Sequence, residues 1–125
     1  MISITIKMNI HVPLDYDKYS EVIYKVSRMF HDALADNLKT TYRGEYAWIT
    51  VGKDVVISFR TAEMYRKYSN MPSGIIITEH LYLTIITDDF KVLSKYVEKV
   101  VDVINNSPQF LFNVAIVNGD INEQQ

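Results

Sequence analysis

Glu79 and His80 sit side by side at the centre of GIIITEHLYLTIITDD, Gly74 to Asp89, the most strand-prone run in a chain of 125 residues. With a second imidazole, His11, they are residue types from which a dispersed acid–base site could be assembled. Their spacing forms no catalytic constellation. The three histidines, His11, His31 and His80, fall in no HxH or HExxH pattern. The best local cluster is His31, Asp32 and Asp36, where the aspartates share a helical face and His31 points about a quarter turn or more away. A solvated helix surface is expected there. VGKD, residues 51–54, lacks the upstream glycine of a phosphate loop and has Asp54 where a Ser or Thr would hold magnesium. No serine occupies a GxSxG elbow, MPSG is turn chemistry, and Asp15, Asp17, Asp88 and Asp89 stand where helix caps belong. With no cysteine, disulfides and thiolate chemistry are excluded. No catalytic, cofactor-binding or metal-ligating residue is assigned, and no cofactor is expected.

Surface character is more informative. The net charge of −2 conceals a segregation: Lys39 to Tyr68 is +3, and the rest of the chain is −5. That segment interleaves Arg43, Lys53, Arg60, Arg66 and Lys67 with Tyr42, Tyr46, Trp48, Tyr65 and Tyr68, the combination that neutralises a nucleic-acid backbone and stacks bases. The competing reading is that Tyr46, Trp48 and Tyr65 are core residues, since aromatics at strand and helix periods usually pack inward. A second surface is the polar side of the first strand, with Lys7, Asn9 and His11. If the strand after Ile75 lies beside it, Thr78, His80, Tyr82 and Thr84 extend the same face, which could dimerise, bind a ligand or hold RNA. The first strand offers no aromatic, which disfavours base stacking of the RNP type.

The elements that must carry these residues follow from periodicity. Ile2 to Val12 alternates apolar and polar residues throughout and reads as a half-buried strand ended by Pro13. A long amphipathic helix follows, with Tyr19, Val22, Ile23, Val26, Phe30 and Leu34 on its apolar face. After a loop around KTTYRG, EYAWITVGKDVVISFR reads as a hairpin turning at Gly52-Lys53, with Trp48 opposite Ile57 and Glu45 paired to Arg60. Both faces of that hairpin are apolar, since Ala47, Ile49, Val51 and Val56 lie opposite the aromatic side. An antiparallel hairpin covered on one side alone would be polar there. Thr61 is expected to cap a short helix, AEMYRKYSN. A second long helix has the stripe Phe90, Leu93, Val97, Val100, Val101 and Ile104, and a last strand, QFLFNVAIVN, precedes a polar tail.

The resulting order, β-α-β-β-(short α)-β-α-β, predicts an α+β fold. Two long helices should lie on one face of a single-layer mixed or antiparallel sheet, in a ferredoxin-like arrangement. Residues 1–118 are expected to form one domain and 119–125 a tail. The alternating N-terminus lacks the apolar block of a signal peptide, and no run approaches the ~20 apolar residues of a membrane span. A cytoplasmic protein without a membrane partner is expected. At Glu79 the strand parity conflicts: Ile77, Leu81 and Leu83 share its side, so a carboxylate would face the core. A bulge, bend or turn near Glu79 and His80 is therefore expected, with a functional carboxylate as the minority reading unless Glu79 is buried beside another titratable group. The leading functional expectation is a non-enzymatic binding or assembly module that self-associates through a sheet or hairpin surface. The alternative is a single-stranded nucleic-acid binder using residues 39–68. The candidate binding residues are Lys7, His11, His80, Tyr82, Arg43, Lys53, Arg66 and Lys67.

Overall fold

The computed structural model describes residues 1–108 and the backbone of residues 113–121. The alternation that begins at Ile2 yields β1 (Ile2–Pro13), with the apolar parity buried and the polar parity turned the other way. Pro13 closes the strand, and Asp15 then caps α1 (Tyr16–Leu34), its carboxylate accepting from the Asp17 and Lys18 amides at 3.1 and 3.3 Å. The helix is followed by Asn37 in the left-handed region, φ 64°.

The next segment departs from expectation. KTTYR forms an edge strand, β2 (Lys39–Arg43), where a loop was expected. Four of its five residues are exposed and a bulge interrupts its pairing between Thr40 and Tyr42, so neither burial nor alternation marks it in the sequence. β3 (Trp48–Val51) and β4 (Val55–Thr61) form the expected hairpin, but the turn is centred on Lys53-Asp54. Gly52 donates its amide to the Val55 carbonyl at 2.8 Å, and the register sets Trp48 opposite Phe59 and Thr50 opposite Ile57. Moving the turn by one residue changes the register by two, so every side chain keeps its face. The predicted Glu45–Arg60 pair is not formed, and Arg60 stands opposite Tyr82 instead.

Thr61 ends β4 and caps nothing. The short helix is reduced to one 3-10 turn, Met64–Arg66, entered through Glu63 in the left-handed region at φ 51°. β5 (Ile76–Thr87) is a continuous 12-residue strand. Its register against β1 runs without a break from Pro13↔Ile76 to Ile2↔Thr87, so the irregularity expected at Glu79 and His80 is absent. α2 (Phe90–Asn105), capped by Asp89, buries Leu93, Tyr96 and Val100. Phe90 and Val101, expected in its stripe, are 60% and 46% exposed, and Tyr96 takes the inward position. β6 (Asn113–Ile121) pairs with β1 and takes in the first three residues of the expected tail. The first four residues of the predicted last strand lie outside the described residues.

Six strands form one antiparallel sheet in the order β2-β3-β4-β5-β1-β6, with both helices on one face. Between the layers, Ile6, Met8, Ile10, Phe59, Leu81, Leu83 and Ile85 of the sheet meet Ile23, Val26, Phe30 and Leu34 of α1. Phe59 stacks on both Phe30 and Trp48 with ring centres 5.9 Å apart, and the Trp48 indole N–H donates to the Ser27 carbonyl at 3.0 Å. That bond satisfies the indole where its bulk is buried.

Candidate functional site

The face of the sheet that carries no helix is laid out in rungs, because the antiparallel registers of β1, β5, β4 and β3 align their outward residues. Ser3, Ile86, Val56 and Val51 form one rung and Thr5, Thr84, Ser58 and Ile49 the next. Lys7, Tyr82 and Arg60 form the third, followed by Asn9–His80 and His11–Thr78. Adjacent rungs are about 7 Å apart, two residues of strand. The face therefore divides into an apolar end and a polar end, separated by a line of hydroxyls in which Thr5 and Thr84 bond at 2.9 Å.

The polar end is an ordered side-chain network. The Arg60 guanidinium lies over the Tyr82 ring, 4.1 Å from its centre, a geometry that couples cation to ring face. His80 Nδ1 is 2.6 Å from the Asn9 amide oxygen, and His11 Nδ1 is 3.2 Å from the Thr78 hydroxyl. Each imidazole is thus anchored through Nδ1 with Nε2 left over. No Asp or Glu occupies an outward position of β1, β3, β4 or β5. Among the described residues, neither Lys7 nor Arg60 takes part in a salt bridge.

Four of the eight predicted binding residues, Lys7, His11, His80 and Tyr82, come together here. The other four do not. Arg43 ends the edge strand β2, and Lys53 sits in the turn beside Met1 and Asp88. Arg66 and Lys67 lie in the 3-10 turn and just after it, beyond the end of β4, where Arg66 is ion-paired to Glu63 at 3.4 Å and Lys67 lies over Tyr68. Tyr46 and Trp48 of the basic segment are buried, so residues 39–68 present no continuous aromatic track. A cleft of about 310 Å³ beside the 3-10 turn holds Arg60, Arg66, Tyr42 and Tyr65, but Glu45 and Glu63 line it too, and Glu63 is the partner of Arg66. Arg60 joins the polar end only through the β4–β5 register, a tertiary fact without a local sequence signal.

Glu79 faces the other way and has no solvent exposure. It lies in a regular strand beside a titratable group, the arrangement under which a functional carboxylate becomes the first reading. Its surroundings are those of an internal tie. Oε2 accepts from the Tyr19 hydroxyl and from the Met64 amide at 2.9 Å, and Oε1 accepts from the His80 amide at 2.9 Å. Burial first, then the bond to Glu79 and its charge, push the Tyr19 phenol far above its ordinary range, so it stays a donor. Tyr46 hydrogen-bonds Ser20 at 2.5 Å; burial raises its phenol as well, against the opposing effect of that bond. Glu79 lies across the sheet from His11 and His80, so the three do not converge into the dispersed acid–base site. His31, expected on a solvated face, packs its ring against Trp48 and bonds Thr40 of β2 at 2.8 Å, while Asp32 and Asp36 are exposed. Among the described residues no three His, Asp or Glu side chains group as metal ligands, and no helix is long and apolar enough to cross a membrane.

No family model matches this chain, and no curated protein or solved structure matches it either.

Proposed function

We propose that this chain is a non-enzymatic binding and assembly module that works through the helix-free face of its sheet, and that the apolar end of the face seats a second copy. One observation carries the reading: Ile49 and Val51 are 38% and 36% exposed beside the half-buried Val56 and Ile86, with no element of the described residues laid over them. The two-sided apolar character of the hairpin is thus met on the inner side by α1 and, among the described residues, left open on the outer. A two-fold axis through the strip would set the outward Ile49, Val51, Val56 and Ile86 of one copy against those of the other. The core is read as ferredoxin-like. The support is that β4, β5, β1 and β6 are neighbours in that order with α1 and α2 on one side, the β2–β3 pair extending the β4 edge.

Four half-exposed aliphatic side chains are a small area beside the ~800 Å² per partner of a standard interface. Self-association is therefore expected to be weak and concentration-dependent. Light scattering from about 10 μM to about 1 mM should show the mean mass climbing from one chain toward two. The Ile49→Thr/Val51→Thr variant, which keeps β-branched residues but removes apolar surface, should stay at one chain across that range. A wild-type chain that remains monomeric at the highest concentration would end the reading.

A further inference from the structure

We infer that the polar end of the helix-free face is a platform for single-stranded nucleic acid, with the stacked Arg60–Tyr82 pair taking a base and Lys7 taking backbone phosphate. Three observations converge on that ligand. The first is charge: two cations without a salt bridge among the described residues lie on one rung, on a face where β1, β3, β4 and β5 turn no carboxylate outward. Such a surface complements a polyanion and repels a second copy of itself, which separates it from the apolar end. The second is the planar stack. An arginine guanidinium over a tyrosine ring presents its free face outward, and bases stack on guanidinium planes as they do on aromatic rings. This supplies the stacking element that β1 lacks, from β5 and β4 instead. The third is the pair of anchored imidazoles. With Nδ1 of His80 held by Asn9 and Nδ1 of His11 held by Thr78, both rings keep Nε2 for a base edge or a phosphate oxygen.

A duplex fits this face badly. The bases it would stack are already stacked on each other, and a flat three-strand patch has nothing to enter a groove. The cleft next to Arg60 is not part of the platform, because Glu45 and Glu63 line it and Glu63 already pairs with Arg66 at 3.4 Å.

The test is fluorescence anisotropy with a fluorescein-labelled oligo-dT strand of about 12 nucleotides, competed by unlabelled strand, by duplex of equal length and by polyglutamate. Saturable binding of the strand is expected, weakening with salt at a logarithmic slope of about −1.4, because Lys7 and the charge of the stacked Arg60 each offset one phosphate at about −0.7. Arg60→Glu and Tyr82→Ala should each weaken it by about tenfold or more, with far-UV circular dichroism unchanged. Arg60→Lys keeps the charge and removes the plane, so the slope should hold while affinity falls severalfold. Ile49→Thr/Val51→Thr should bind as wild type does, which separates this inference from self-association through the apolar end. Three results would each overturn it: no binding at low salt, wild-type affinity in both Arg60→Glu and Tyr82→Ala, or displacement by duplex or polyglutamate as readily as by the strand.

Discussion

Glu79 shows how a polar group on an apolar parity is resolved by its partners. A carboxylate without solvent exposure is destabilising unless its lone pairs are filled, and here an O–H and two N–H groups fill them from α1, the 3-10 turn and β5 itself. The tie fastens three elements at one point. Glu79→Leu should cost about 3–5 kcal/mol, since it strands the Tyr19 hydroxyl and the Met64 amide, each worth about 1–3 when buried and unpaired. Tyr19→Phe removes one donor of three and should cost about 1.5–3 kcal/mol. Urea midpoints would show the double variant losing less than the sum, because both changes break the same bond. Near-neutral Glu79→Leu would mean the tie is absent. The same residues set the alkaline limit of stability. Tyr19 and Tyr46 have phenols raised above the ordinary value near 10 in the fold. The unfolded chain then loses those protons first, so their contribution is complete below about pH 10 and is lost as pH rises beyond it. The expected slope is about 1.4 kcal/mol per pH unit for each phenol that stays protonated. Tyr19→Phe should flatten it by one phenol's share. The sequence exposed the conflict at Glu79 but not its solution, because Tyr19 is 60 positions away and was legible only as an apolar helix residue.

At the scale of elements, the two long helices and β1 were readable because each has a single strong period and a capping or breaking residue at one end, and the hairpin because a turn signal joins two strand-prone runs. What escaped was decided by neighbours. β2 is an exposed, bulged edge whose Thr40 meets His31 across the gap, and nothing within KTTYR announces that partner. The hairpin turn shifted by one residue because glycine at position 52 serves a close approach rather than a turn conformation. A Cβ there would sit 2.5 Å from Leu38 Cδ2 and 3.2 Å from Val55 Cγ1, while its φ is not in the left-handed region. Gly52→Ala is thus opposed by overpacking of about 1–3 kcal/mol and favoured by about 0.4–1 kcal/mol of unfolded-state entropy. Net destabilisation near 1 kcal/mol is expected. Thermal or urea unfolding of Gly52→Ala combined with Leu38→Ala should show favourable coupling, because the shorter side chain vacates the clashing position. Additive losses would place the cost elsewhere.

Over the whole molecule, one face collects residues from four strands whose charges and apolar groups are scattered along the chain. Lys7, Arg60 and Tyr82 are neighbours only because β4, β5 and β1 are, so the α+β class was legible from element order while Arg60 was not. The grouping of Lys7, His11, His80 and Tyr82 was legible because it needed just one correct guess, that β5 lies beside β1. The division of that face makes a prediction that neither end makes alone. Contact through the apolar strip gathers two copies whose cationic ends repel at low salt, where the Debye length exceeds ~10 Å. Added salt screens that repulsion and leaves aliphatic contact intact, so self-association should tighten as salt rises. Oligonucleotide binding at the polar end releases counterions and should weaken, by about sevenfold between about 50 and 200 mM at the slope expected for two phosphates. Sedimentation and anisotropy on the same preparation read the two together. Opposite signs are the signature of two surfaces on one sheet. If both affinities fall with salt, the copies are held by the cationic end, and the assignment of the apolar strip to self-association is wrong.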